Sequence, residues 1–417
     1  MGTFNGENIR MLKIKIKKSD VPVILWCVGI FLFPYILRDR VVGSLGLINV
    51  FVYAGLLMAY NKHLIYAPVS ASKRNFLKNS VLLLAVFALV MLLFYSRGNG
   101  WGALGKLKLL FSYVFPTLFI YLDFVKSSTI KSYSIKWFGC LSLVCRILCI
   151  AKILDAFLGN VIQKLFASLY ASNTMIALIR GGRFVSYYGH SLNNTLFFLL
   201  LLAWTTIMKN IGLNSERKYL LDVAISLFGI AITGSKSGIM LAVLLLLLCN
   251  VGLKNIRYVI AILLLFSVFY FSGVFDAVID RIMQGIAIGD LSSSRNTALE
   301  RLLMDGTLKF DLFQGHLIDY KGTSMIAALE YPFLRWSYTV GVVFTCVLYV
   351  VDFAVPVGRI VLTKKWNSLI CILIIMAFVN GNNGISAYND DMMIYAINIG
   401  LMIQVTLYEG CINNEKD

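Results

Sequence analysis

Two stretches carry most of the candidate chemistry in this chain, and both rest on arginine. The first, ALIRGGRFVSYYGHSLNNTLFF at residues 177–198, sets Arg180 and Arg183 around a pair of glycines. Glycine lets a backbone come close to a ligand, and the planar guanidinium grips phosphate oxygens two at a time while keeping its proton. Tyr187 and Tyr188 add ring faces suited to sugars, and His190 stands where the stretch enters an apolar run, within reach of the same ligand. Arginine and tyrosine also anchor helix ends at lipid headgroups, so an interfacial reading competes with a binding one. The second stretch, SSSRNTALERLLMDG at 292–306, offers Ser292–Ser294 and the Thr297-x-x-Glu300 pair as helix caps. Leu299, Leu302 and Leu303 supply a short apolar face, which predicts a surface helix with Arg295 in its first turn or cap.

The elements that must position these residues are membrane spans. The chain has 417 residues, of which 59% are hydrophobic and only 14% charged, with a mean hydropathy of +0.79. Soluble domains carry about 25% charge. The apolar runs approach the ~20 residues that a helix needs to cross hydrocarbon, too long for the alternating ~10-residue strands of a barrel. They predict an all-α integral membrane protein of about twelve spans: 21–37, 41–60, 80–95, 109–125, 137–158, 190–208, 219–233, 237–252, 257–275, 333–355, 367–380 and 392–408. The N-terminal run follows a basic segment but no A-x-A cleavage site, and reads as a retained first span. Lysine and arginine in the short loops place both termini in the cytoplasm of a plasma-membrane protein. The long loops 159–189 and 276–332, the second between spans 9 and 10, then lie outside the cell and form the predicted active site of a single polytopic domain, 1–417. Loops of that length are usually functional.

The net charge of +17 fits orientation signal and attraction to anionic lipid. No arginine-and-aromatic module stands outside the membrane to bind nucleic acid. Phosphate loops of the GxxxxGK[ST] type and strand-borne GxGxxG motifs are missing, which argues against ATP-driven work. The eight cysteines form no CxxC pair, and Cys145 and Cys149 share a helix face without histidines to complete a metal site. Neither metal nor cofactor is expected. Arg146 falls near mid-span and must face the bundle interior, Asp390 and Asp391 read as a helix cap, and Arg301 reads as solvated.

Four segments together resemble the bacterial O-antigen and capsular polysaccharide polymerases of the Wzy type, and the related O-antigen ligases. RFVSYYGHSLNNTLFF is similar to the family's R-x-x-G-x-x-x-x-P-N segment, with Asn193 or Asn194 as the asparagine and no proline. ITGSKSGIMLAVLLLL at 232–247 is similar to its T-x-S-R-[ST] stretch, with Lys236 where arginine is common. Arg295 and Gly306 keep an R-x10-G spacing, and EYPFLRWSYTVG at 330–341 keeps that of the ligases' H-N-x-x-L-x-x-x-x-E-x-G, with Glu330 in place of histidine.

The resemblance implies a metal-independent, inverting glycosyltransferase that joins polyprenyl-pyrophosphate-linked oligosaccharide repeat units into O-antigen, capsule or exopolysaccharide. Nucleotide sugars stay in the cytoplasm, so an enzyme working outside needs a donor activated beforehand. Its leaving pyrophosphate gains charge as the glycosidic bond breaks, and fixed cations stabilise that charge. Arg295 and Arg183 are the expected anion-binding pair, joined by Lys236. Glu330 is the expected base for the acceptor hydroxyl, with His316 as its alternative. Arg180, Tyr187, His190 and Asn193 are expected to touch substrate. The partners implied are lipid-linked donor and acceptor, membrane lipid and, where chain length is controlled, a regulator. A ligase adding one finished block, or a flippase moving lipid-linked glycan without making a bond, are the competing readings.

Overall fold

Apolar runs interrupted by proline, glycine and short polar turns become helices throughout the described part of the chain, as seen in a computed structural model. It describes residues 20–65, 110–122, 127–170, 172–250, 275–289, 295–316, 329–382 and 390–413, with isolated positions between them. The helices are α1 (Val21–Cys27), α2 (Tyr35–Val42), α3 (Val50–Ile65), α4 (Leu110–Ile120), α5 (Ser127–Phe157), α6 (Val161–Leu169), α7 (Asn173–Arg180) and α8 (Ser191–Asn210). There follow α9 (Glu216–Ile232), α10 (Lys236–Asn250), α11 (Asp276–Ile288), α12 (Arg295–Met304), α13 (Pro332–Val340), α14 (Val342–Val361), α15 (Trp366–Gly381) and α16 (Asp391–Asn413). No strand occurs among the described residues.

By length and composition, three described helices can cross a membrane: Ser128–Phe157, Ser191–Asn210 and Val342–Val361. A bent pair, Val21–Leu32 with Tyr35–Val42, makes a fourth if it counts as one span. Five shorter apolar helices of 10–17 residues lie among them. The predicted span 80–95 and more than half of 257–275 lie outside the described residues.

Two expected spans are not continuous. The run 21–37 turns by 77° at Phe33–Pro34. Proline lacks the N–H that would continue the ladder and pushes the residue before it out of the helical region, as the φ of −124° and ψ of 64° at Phe33 record. The run 333–355 is divided at Gly341, φ +91°, into α13 and α14.

Helix α8 is the centre of the bundle, with every residue from Asn194 to Met208 buried. The carboxamide of Asn398 ties α5, α8 and α16 together there, accepting from the indole of Trp137 at 2.8 Å and of Trp204 at 2.7 Å. Helix α5 shows the opposite character. Leu143, Ile147, Ile150, Leu154 and Phe157 are exposed at three- and four-residue spacing along one side, while Leu141, Cys145 and Leu148 are buried on the other. An outward apolar stripe opposite a packed one is what lipid on one side and helices on the other require. Cys145 and Cys149 both face the packed side. Arg146 does have a partner: its guanidinium meets buried Asp222 of α9 at 2.9 Å.

Candidate active site

The site forms where helix ends meet: the N-termini of α8 and α10, and the C-termini of α9 and α15. Three arginines rest there on helix-terminal carbonyls. Arg183 Nε donates to Thr233 O at 3.1 Å, just past the last residue of α9. Arg281, on α11, donates to Gly234 O, and Arg295 donates to Gly381 O, the last residue of α15, at 3.0 Å. The C-terminal end of a helix carries the negative end of its dipole, and so offsets the mutual repulsion of the cations. Gly234 makes the closest approach possible. It holds a φ of +65°, and a Cβ there would meet Arg183 Cγ at 3.0 Å.

Arg183, Lys236, Arg281 and Arg295 line one cleft of about 310 Å³, together with Ser235 and Tyr331. Lys236 opens α10, whose first turn is capped by Ser235 Oγ accepting from Gly238 N at 3.1 Å. A helix N-terminus beside four cations is a strong anion site. Glu330 forms an ion pair with Arg295, whose guanidinium also lies over the Tyr331 ring, 6.0 Å from its centre. Arg183 feels the crowding: desolvation, then the charges of Arg281 and Arg295, lower its pKa to about 10 against the opposing pull of Glu330. It stays charged at neutral pH.

A second cavity, about 500 Å³, adjoins across a single turn of α8. Leu192 lines the basic cleft, while His190 and Asn193 line this one with Tyr188, Arg335 and Asp390–Asp391. Asp390 is clamped by Arg38 at 2.7 and 3.0 Å and accepts from Tyr35 N at 3.0 Å. The predicted helix cap at Asp390 thus holds as backbone geometry, with Ile394 N on Asp390 O at 2.7 Å, while its side chain fastens the bent N-terminal hairpin. His190 caps α8, its Nδ1 accepting from Leu192 N at 3.1 Å.

Of the predicted residues, Arg183, Lys236 and Arg295 share the basic cleft, Glu330 is bound to Arg295, and His190 and Asn193 belong to the neighbouring cavity. Three others line neither space. Arg180 is exposed at the end of α7. Tyr187 spends its hydroxyl on Leu32 O at 2.6 Å, strapping its loop to the N-terminal span. His316 bonds Asp311 at 2.7 Å and lies against the Tyr338 ring, a loop brace.

Helix α12 starts at Arg295 as expected, with Leu302 buried and Leu299 packed beside it, but Leu303 is exposed; Ser292–Ser294 lie outside the described residues. The Arg295 to Gly306 spacing now has a physical meaning: it is one helix length. Arg295 opens α12, and Gly306, φ +64°, turns the chain so that Leu308 N closes on Leu302 O at 3.1 Å. Sequence reasoning missed Arg281 and the Arg38–Asp390 clamp. Arg281 sits among exposed apolar residues of α11 with no motif to mark it, and the clamp joins positions 352 residues apart. Compared with known proteins, the chain matches no family model, no curated protein and no solved structure.

Proposed function

We propose that this chain is a polysaccharide polymerase of about twelve spans with both termini in the cytoplasm. It joins polyprenyl-pyrophosphate-linked repeat units at the outer face of the plasma membrane. The observation that carries the reading is the basic cleft, where four cations and a helix N-terminus converge among apolar helices. A ligand with a clustered negative charge and a lipid tail fits such a place, and pyrophosphate on a polyprenyl carrier has both.

In the proposed reaction the acceptor hydroxyl oxygen attacks the anomeric carbon of the donor glycan. The bond from that carbon to the pyrophosphate oxygen breaks, and configuration inverts. The hydroxyl proton passes to Glu330, and the polyprenyl pyrophosphate leaves as an anion held by Arg183, Arg281 and Arg295. Fixed guanidinium groups, already oriented by the carbonyls of Thr233, Gly234 and Gly381, cost no reorganisation as that charge grows. The Arg295–Glu330 pair couples the two halves of the step. Pyrophosphate competes for Arg295, and a carboxylate released from its cation is free to take the proton only once the donor has arrived.

A flippase of lipid-linked glycan is the competing reading. The experiment is direct: purified protein with lipid-linked repeat unit as sole substrate should give a ladder on a gel. A single added block would point to a ligase, and movement of labelled lipid across vesicles without bond formation to a flippase.

A further inference from the structure

The cavity on the far side of the His190–Asn193 turn differs from the basic cleft in one respect that selects its ligand: among the described residues that line or back it, carboxylates and arginines are equal in number. The Asp390 carboxylate is answered by Arg38, both nearly inaccessible at 6% and 8% exposure. Asp391 and Arg335, of opposite sign and equally buried, line the same space. Such a cavity gives a pyrophosphate no excess of positive charge. It does present what a sugar needs. Tyr188 has its hydroxyl committed to Phe31 O at 2.9 Å and meets Phe197 edge to face at 4.9 Å, so both rings are held rigidly along the wall. His190 uses Nδ1 as an acceptor, which assigns its ring proton to Nε2 and makes that edge a hydrogen-bond donor. Asn193 adds a carboxamide one turn away, and Asp391 a carboxylate, the acceptor that paired sugar hydroxyls favour. The volume of about 500 Å³ is within the ~300–1,000 Å³ range of small-ligand sites.

We propose that this cavity is the saccharide subsite of the second substrate, holding the uncharged, polyhydroxylated end of the acceptor glycan beside the donor's pyrophosphate in the basic cleft. The identification of that saccharide as the acceptor rests on the polymerase reading. Its location follows from the shared turn. An attacking hydroxyl must come within ~3–3.5 Å of the anomeric carbon, so donor and acceptor seats have to adjoin. The α8 turn gives Leu192 to one seat and His190 with Asn193 to the other. His190 would then orient the acceptor by donating, which leaves the proton-accepting role to Glu330.

The test compares two soluble probes on the full-length purified protein: the oligosaccharide released by mild acid from the host's lipid-linked repeat unit, and farnesyl pyrophosphate. Thr174→Trp fills the cavity from the exposed wall of α7, away from the arginines of the basic cleft. It should weaken saccharide binding at least about tenfold while farnesyl pyrophosphate binding changes less than about twofold. Arg183→Ala should do the reverse, and the probe that each variant retains shows that it is folded. Asn193→Ala provides a milder check, with a loss of several-fold for the saccharide alone. Saccharide binding that is absent, or that Thr174→Trp leaves untouched, overturns the subsite while pyrophosphate binding would leave the polymerase reading standing. If the saccharide binds and responds to Thr174→Trp but farnesyl pyrophosphate does not bind, the subsite survives and the donor reading fails.

Discussion

The two spaces beside the N-terminal turn of α8 are built from the same kinds of residue and yet suit opposite ligands. Both are bordered by arginine, buried at the cavity and half-buried in the cleft. Behind the cavity wall, Arg38 is spent on Asp390 in a two-pronged contact. In the cleft, Arg183 and Arg281 lean on main-chain carbonyls, which carry only partial charge, and Glu330 answers Arg295. Neutralising arginine with a carboxylate builds structure; neutralising it with helix dipoles orients the side chain and leaves its charge available to a ligand.

The sharpest way to break this contrast is Arg295→Ala. Removing a cation aimed at developing charge should cost ~10²–10³ in turnover, seen as disappearance of the polymer ladder while the protein stays in the membrane. Glu330→Gln keeps the shape and removes the base, with a loss of ~10²-fold or more in kcat but retained farnesyl pyrophosphate binding. On the cavity side the loss should appear as stability. Asp390→Asn leaves Arg38 buried without its counter-charge, a change that typically costs ~3–5 kcal/mol and should lower the thermal unfolding midpoint markedly. Arg281→Ala, which sequence alone would not have chosen, should reduce turnover by about tenfold through a weaker hold on the leaving group. The smallest effect belongs to Arg180→Ala, less than about twofold on any readout, as for other exposed surface changes.

Much of this was legible in the chain itself, for reasons that differ by residue. Helices α8, α9, α10, α15 and α16 fall within a few residues of the apolar runs because run length in hydrocarbon is a local property. The arginines of the cleft were legible where they stood beside glycine or opened a helix, as Arg183 and Arg295 do. The 77° turn at Phe33–Pro34 was hidden by an apolar run that continues through the proline. The contacts of Tyr187 and His316 were not legible, because a ring or imidazole looks the same in sequence whether it faces a ligand or braces a loop through Leu32 or Asp311. The clamp between Arg38 and Asp390 had no local signature, since its two halves meet only when the first span bends against the last.

The most direct test of the central claim is a structure of the protein in a lipid nanodisc with a lipid-linked donor that cannot be cleaved. The account predicts density for both phosphates in the cleft of Arg183, Arg281 and Arg295, with Glu330 drawn away from Arg295. Phosphates found in the cavity of Arg335 and Asp391, or a donor bound where no arginine of the cleft reaches it, would contradict it.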